Sequence, residues 1–193
     1  GVRFDTIIGR GAFSPARTGL AQEEMSGREH LHLAAAELSK YLKPSGILSL
    51  AESVPLFTQR LYDLVDLSPL GESLAKRLRS VEDAIYEAQD DPMVNWTLDD
   101  LREALALAGF EQVTLVPEPS EVDTRISAAL LARWFGQSAP GQKMSYVEHL
   151  AKQLESEETK AVKALFERAL TNQSVKWHSL SAFVTAVSNH GGS

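Results

Sequence analysis

Polar residues that could act on a ligand follow the ends of two predicted strands. The run Gly9-Arg10-Gly11 comes directly after the strand Phe4–Ile8, and Glu52 follows the strand Ile47–Ala51. Open α/β sheets usually bind their ligands at the carboxyl ends of parallel strands, so these residues are candidates for the substrate side of a site. A plain turn at Gly9-Arg10-Gly11 is the favoured alternative, because the third glycine of a dinucleotide fingerprint is missing. Glu52 could equally cap the helix that follows.

Two further pairs complete the substrate-side candidates. Gln59 and Arg60 follow Glu52 closely, and Asn95 and Trp96 lie in a polar, aromatic loop before a helix. For Arg60 the alternative is a side chain that faces solvent. For Trp96 we favour a buried ring that anchors the loop, since large aromatic side chains supply much of the contact area of a protein core.

Several chemistries are excluded by the residues that are missing. The chain has no cysteine, so disulfides, thiolate zinc sites and cysteine nucleophiles are absent. His30 and His32 point to different faces of a helix, no H-E-x-x-H motif occurs, and we expect no metal site. The chain contains no G-x-x-x-x-G-K-[ST] motif and no G-x-S-x-G motif. It therefore has no ATP site of its own, and a hydrolase triad has no support.

Composition is typical of a globular protein. The 193 residues are 44% hydrophobic and 23% charged. The net charge of −7 argues against direct binding to nucleic acid. No apolar run approaches the roughly 20 residues of a membrane helix, so we expect no membrane partner and a cytoplasmic location. Because no initiator Met is present and a strand begins at Phe4, we expect a piece of a longer polypeptide.

The elements that would position the candidates alternate between strand and helix. A capping box, Ser26 with Glu29, opens a helix that Lys43–Gly46 stops, and the strands on either side of it should pair in parallel. Residues 55–89 have a helical pattern with a break at 68–71. A second capping signature, Thr97–Asp100, opens a helix before a third strand at Val113–Val116.

The last third of the chain is predicted to be mainly helical. Apolar periodicity predicts helices over 126–136, 144–155 and 157–171. The β-branched run Ser181–Val187 then predicts a fourth strand, antiparallel and at an edge of the sheet.

Three motifs together resemble the back half of a class I S-adenosylmethionine-dependent methyltransferase. The strand Phe4–Gly9 (FDTIIG) resembles the fourth strand of that family, and Tyr41–Gly46 (YLKPSG) resembles the turn that leads to the fifth, here Ile47–Leu50. Ala108–Phe110 (AGF) is similar to the approach to the sixth strand. The resemblance implies that Ser181–Val187 is the last, antiparallel strand.

A closer resemblance is to cyanobacterial fusion proteins. In these, an AAA+ ATPase of the replication-associated recombination (RarA/MgsA) type precedes a methyltransferase-like domain. The runs that carry this resemblance are Leu50–Pro55, Thr58–Tyr62, Glu82–Tyr86, Asp91–Trp96 and Leu131–Phe135.

The chain also departs from the methyltransferase pattern. It starts at what would be the fourth strand, so the acidic, glycine-containing loop after the first strand and the acidic residue that ends the second are not in it. Ser45 replaces the first glycine of the turn and Gly46 keeps the second. No Asn-Pro-Pro-Tyr motif follows Phe4–Ile8, so methylation of nucleobase amino groups is unsupported.

The resemblance implies an α/β fold: a partial Rossmann-like, methyltransferase-like sheet of about four strands with helices on its faces and a helical insertion before the last strand. We expect the back half of the domain at 1–124, the insertion at 125–175, and the final strand and tail at 176–193.

For function, the resemblance implies a C-terminal domain of an AAA+ ATPase fusion that is not catalytic in isolation. The alternative is the substrate-side half of an active methyltransferase that upstream sequence completes. S-adenosylmethionine would bind only with that upstream sequence. The expected partners are the upstream domains of the same polypeptide, or a second copy that covers the open sheet edge. The substrate is not predicted.

Overall fold

A computed structural model describes residues 1–13, 26–88, 95–139 and 143–189. None of the helices in this part of the chain is long and apolar enough to cross a membrane. Residues 91–94 of the run Asp91–Trp96, and residues 190–193 of the predicted tail, lie outside the described part. The elements, in chain order, are β1 (Phe4–Arg10), α1 (Gly27–Ser39), β2 (Leu42–Ser53), α2 (Glu72–Glu87), α3 (Leu98–Leu107), β3 (Phe110–Arg125), α4 (Ala128–Phe135), α5 (Tyr146–Leu150), α6 (Ser156–Leu170) and β4 (Ser174–Ser188).

The four strands form one mixed sheet in the order β1-β2-β4-β3. β1 pairs in parallel with β2, and β4 pairs antiparallel with β2. This confirms the α/β class, the parallel first pair and the antiparallel last strand. The predicted edge position of β4 is wrong, because β4 lies between β2 and β3. Its small residues Ala182 and Ala186 are fully buried beneath helices, as suits an inner strand, but composition alone did not indicate this.

Helices α1 and α3 cover one face of β2 and β4. Each begins with the predicted capping box, formed by Ser26 with Glu29 and by Thr97 with Asp100. These boxes satisfy backbone donors that the first turn of a helix leaves free. Apolar residues of both helices pack in one cluster with strand residues of this face; the cluster includes Leu31, Ala34, Leu101, Leu105, Leu48, Leu50, Ala182 and Val184.

The chain divides into two compact units. The first unit comprises Gly1–Thr58, Glu87–Ser120 and Ser179–Ser193, and the second comprises Gln59–Tyr86 and Glu121–His178. The second unit has its own core, in which the ring of Phe135 lies 5.6 Å from the rings of both Tyr146 and Phe166. The domain boundaries at 124 and 175 stay a prediction.

The helical pattern predicted for residues 55–89 is wrong over residues 55–67 and is confirmed after the break by α2. Only short 3₁₀ helices occur there, at Pro55–Phe57 and Leu61–Leu64, with another at Ser68–Leu70. The physical reason is that the backbone donors of this segment bond elsewhere. The N–H of Gln59 donates to the carbonyl of His178, and the N–H of Leu61 donates to the carboxylate of Glu82. An α-helix would need those donors for itself.

The approach to β2 contains an irregular turn. Phe4 lies opposite Leu42 and Thr6 lies opposite Ile47, so residues 43–46 bulge out of the register with β1. Ser45 has φ of +60°, in the left-handed region that favours glycine. A Cβ on Gly46 would lie 2.9 Å from the carbonyl oxygen of Lys43, so this position needs glycine for close approach.

We predict that S45G raises the free energy of unfolding by about 1 kcal/mol, because glycine removes the left-handed strain. G46A should lower it by about 1–3 kcal/mol, because the backbone must shift to admit the methyl group. Urea unfolding followed by circular dichroism measures both. The control is S53G, at an exposed position of β2, which should lower the free energy of unfolding by about 0.5–1 kcal/mol. If S45G is as destabilised as S53G, the strain at Ser45 is not real.

Candidate functional site

The carboxyl ends of β1 and β2 meet at one edge of the sheet, as the sequence predicted. Arg10 lies opposite Ala51, so Glu52 comes next to the turn that follows β1. Gly11 has φ of +60°, and its N–H donates to the carbonyl of Ala51 at 3.0 Å. Gly9 and Arg10 belong to β1, which extends two residues beyond the predicted strand, and the turn begins at Gly11, the last residue of the run.

Glu52 holds this turn from the neighbouring strand. Its carboxylate accepts the N–H of Ala12 at 2.7 Å and that of Phe13 at 3.3 Å, and the residue is only 2% exposed. The sequence left two roles open for Glu52, a helix cap or a ligand contact. The hydrogen bonds give it another role, because the backbone donors it satisfies belong to the segment after β1.

His30 holds the same segment from the other side. Its ring is fully buried, and Nε2 lies 2.9 Å from the carbonyl oxygen of Phe13, so Nε2–H must donate. Nδ1 then carries the lone pair and has no hydrogen-bond partner among the described residues. Burial lowers the pKa of His30, which keeps the ring neutral. Sequence reasoning missed this role, although His30 lies four residues before the buried Ala34 and thus on the buried face of α1.

Gly9 is closely packed, whereas Arg10 is exposed. A Cβ on Gly9 would lie 3.1 Å from Cδ2 of Leu50, so glycine suits the contact between the two strands. The side chain of Arg10 lies at the carboxyl end of β1 on the surface. Of the run Gly9-Arg10-Gly11, Arg10 is thus the residue whose side chain a ligand could reach.

Gln59 and Arg60 belong to the second unit and are engaged in internal contacts. The buried amide of Gln59 accepts the N–H of His178 through Oε1 at 3.1 Å and donates from Nε2 to the carbonyl of Arg60 at 2.9 Å. The guanidinium of Arg60 lies 3.7 Å from the ring centre of Tyr86, and its Nε lies 3.3 Å from Asp83. Arg60 therefore does not simply face solvent, which was the alternative considered for it.

A buried carboxylate that the sequence analysis missed lies close to Arg60. Glu82 is 1% exposed and accepts hydrogen bonds from the backbone N–H groups of Leu61 and Tyr62 and, at 2.7 Å, from the hydroxyl of Tyr146. Its position four residues after Leu78, on the apolar stripe of α2, was the signal that could have revealed it. A charged residue on such a stripe must find partners inside the protein.

Burial is the largest influence on the pKa values of Glu82 and of the neighbouring Tyr62 and Tyr146. It raises the pKa of Glu82 to about 7, against the effect of the three donors, which favour the charged form. It also raises the pKa of Tyr62 to about 12, with the carboxylate of Asp83 adding to the effect. The pKa of Tyr146 is raised by burial and by Glu82. These groups join the 3₁₀ segment at Leu61 to α2 and α5, and a substrate could not reach the carboxylate.

Asn95 and Trp96 lie directly before α3. Trp96 is buried in the core of the first unit, as the sequence favoured. Asn95 lines a surface cleft of about 340 Å³ with Ser26, Gly27, Arg28 and Asp100. Arg28 and Asp100 form an ion pair at 2.6 Å across it. The positive and negative charges of the cleft thus already neutralise each other.

The carboxylate of Glu52 is buried, and its two oxygens accept the N–H groups of Ala12 and Phe13. The described residues also contain no group of three or more His, Asp or Glu side chains that could hold a metal ion.

No protein-family model and no curated protein matches the chain. Among solved structures, similarity is found to the YcgJ protein from Bacillus subtilis (13% identity, TM-score 0.39, 98% of this chain and 65% of that one). A putative methyltransferase from Bacillus halodurans gives 11% identity and a TM-score of 0.36, with coverage of 96% of this chain and 70% of that one. A cyclopropane synthase from Mycobacterium tuberculosis gives 18% identity and a TM-score of 0.36, with coverage of 96% of this chain and 56% of that one. The chain thus spans only part of each. With TM-scores below 0.5, these similarities carry no argument about activity.

We predict that E52A loosens the turn after β1. It removes the acceptor of the half-buried Ala12 N–H and of the buried Phe13 N–H, which should lower the free energy of unfolding by about 1–3 kcal/mol. Trypsin should then cleave after Arg10 faster than in the unaltered chain, as mass spectrometry of the fragments would show. The cleavage rate of E52Q should lie between those of E52A and the unaltered chain, because its amide oxygen can still accept one N–H group. S53A should have little effect on the rate. Equal cleavage rates for E52A and S53A would contradict this role of Glu52.

We predict that Glu82 makes stability depend on pH. The folded protein keeps the Glu82 proton up to about pH 7, whereas the unfolded chain releases it near 4.5. The stabilisation is therefore complete below pH 4.5 and is lost as the pH rises to about 7. Relative to E82Q, the free energy of unfolding should fall by roughly 3 kcal/mol over this interval and not change above it. E87Q, at the exposed end of α2, controls for the lost charge. A constant difference between the unaltered chain and E82Q would contradict the prediction.

Proposed function

We propose that this chain is the methyltransferase-like C-terminal region of a larger polypeptide that also contains an AAA+ ATPase linked to replication and recombination. In this proposal the chain serves as an interaction module and has no catalysis of its own. The link to the ATPase is supported by the sequence resemblance, and the partners are the upstream domains of the same polypeptide.

The observation that carries the proposal is the internal use of the polar candidates. Glu52 satisfies backbone donors of the segment after β1, Gln59 bonds to backbone groups on either side, and Arg60 is stacked on a tyrosine ring. A side chain that is buried and bonded in this way has no free donor or acceptor pattern to offer a substrate. This favours a structural role for these residues over a substrate-binding one.

One observation favours a second candidate function, the substrate-side half of an active S-adenosylmethionine-dependent methyltransferase. Arg10 is exposed at the carboxyl end of a parallel strand, where open α/β sheets place their ligands. In that case upstream sequence would hold the cofactor, which supplies the methyl group. Arg10 would orient an anionic part of the substrate, and the turn held by Glu52 would fix its backbone.

Calorimetric titration of S-adenosylmethionine separates the two candidates. The proteins are this chain and a form extended upstream by about 120 residues, which is roughly what three further βα units require. The proposal predicts no binding heat for either protein, with folding of both verified by circular dichroism. Binding by the extended form, together with methyl transfer that R10A reduces, would establish the second candidate instead.

A further inference from the structure

The 3₁₀ helix Leu61–Leu64 is attached to the second unit in large part through one carboxyl group. We call these four residues the strap. The backbone N–H groups of Leu61 and Tyr62 both donate to Glu82 on α2, the latter at 3.2 Å. Leu61 is the buried residue of the strap, and the hydroxyl of Tyr62 donates to Asp83 at 2.9 Å. The closed position of the strap therefore depends on Glu82 as well as on the packing of Leu61.

The other elements around Glu82 have stronger apolar anchors. Tyr146 of α5 bonds to Glu82, but its ring also lies 5.6 Å from that of Phe135 and 6.3 Å from that of Phe166. Leu150, at the end of α5, is fully buried, and α2 buries an apolar stripe of its own. Segments with few buried apolar contacts open first. Water therefore reaches Glu82 more readily by displacement of the strap than by displacement of α5 or α2.

The charge that Glu82 carries when it ionises is poorly compensated. Arg60 attracts it, but the guanidinium bonds to Asp83 and lies over the ring of Tyr86. Burial raises the pKa of Glu82 more than Arg60 lowers it. The ionisable side chains around Glu82 come from the strap and its cap, from α2 and from α5; they are Arg60, Tyr62, Asp63, Asp83, Tyr86 and Tyr146. A buried carboxylate without a bonded cation is costly, so ionisation favours a state in which water reaches it.

The protonated state keeps the contacts of Glu82 without a buried charge. Its Oε2 lies 2.7 Å from the hydroxyl oxygen of Tyr146 and can donate the proton to that oxygen, while Oε1 still accepts the N–H of Leu61. After ionisation the hydroxyl of Tyr146 donates instead. The proton thus decides whether the closed strap covers a neutral group or a charge.

We infer that the strap is a pH-sensitive closure, which lies on α2 while Glu82 is protonated and opens locally when Glu82 ionises. The rest of the second unit stays folded in this opening, so the inference goes beyond the dependence of overall stability on pH. It also goes beyond the proposed function, because the strap opens whether or not the chain binds S-adenosylmethionine.

Amide hydrogen exchange between pH 4.5 and 8 tests this inference, because it measures the opening of each segment separately. Dividing by the exchange rates of an unstructured chain gives protection factors from which the intrinsic pH dependence of exchange is removed. The amides of Leu61 and Tyr62 report on the strap. Those of Leu165 and Phe166, which are buried residues of α6, report on unfolding of the whole unit.

Three variants identify the group that titrates. E82Q keeps the contacts without ionising, since its amide can accept the N–H of Leu61 and donate to Tyr146. E87Q removes a carboxylate from the exposed end of α2 and is the matched control for lost charge. Y146F keeps the carboxyl group of Glu82 but removes a hydroxyl that favours its charged form.

We expect the protection factors of Leu61 and Tyr62 to fall about tenfold per pH unit between pH 4.5 and about pH 7, or about 300-fold in all. At every pH they should be at least about tenfold lower than those of Leu165 and Phe166. The protection factors of the strap should not change with pH in E82Q and should fall as before in E87Q. In Y146F the fall should continue above pH 7.

Four results would overturn the inference. Protection of the strap could be independent of pH in the unaltered chain, or its fall could persist in E82Q. An unchanged end point of the fall in Y146F would assign the titration to another group. Equal protection of the strap and of α6 would mean that the second unit opens as a whole.

Discussion

The turn that follows β1 depends on one carboxylate that lies inside the protein. Glu52 ends the neighbouring strand, and its two oxygens accept the backbone N–H groups of Ala12 and Phe13. His30 then fixes the carbonyl of Phe13 from α1. Because Phe13 itself is buried in the core, these contacts join β1, α1 and β2 at one place. The arrangement of the first βαβ unit therefore rests on polar contacts as well as on apolar packing.

The second unit uses the same physical solution. Glu82 accepts the N–H groups of Leu61 and Tyr62, which lie in a segment with only short 3₁₀ structure. Buried backbone donors need acceptors, and a segment without regular structure cannot supply its own. A glutamate that reaches from a neighbouring helix or strand meets that need, although desolvation of the carboxylate opposes it. Polar residues in this chain thus stabilise loops inside the fold.

Features with a local signal were predictable, whereas features that join distant residues were not. The capping box of Ser26 and Glu29, the strand that starts at Phe4 and the parallel first pair follow from short patterns of residues. The partners of Glu52 and Glu82 lie far from them in sequence, and no pattern around either residue identifies the donors. The inner position of β4 depends on which strands are left with a free edge after the rest has folded, and strand composition does not encode that.

The position of β4 makes completion of the sheet wait for the strand that is synthesised last of the four. β2 takes β4 as its second neighbour, with Ile47 opposite Val187, and β4 also separates β2 from β3. Until Ser174–Ser188 has left the ribosome, β2 and β3 each have a hydrogen-bonding edge without its native partner. Such edges pair readily with other chains, and contacts between residues far apart in sequence form slowly. A chain that stops before Ser174 is therefore left with two strands ready to aggregate, so the last strand protects the nascent protein as well as completing its fold.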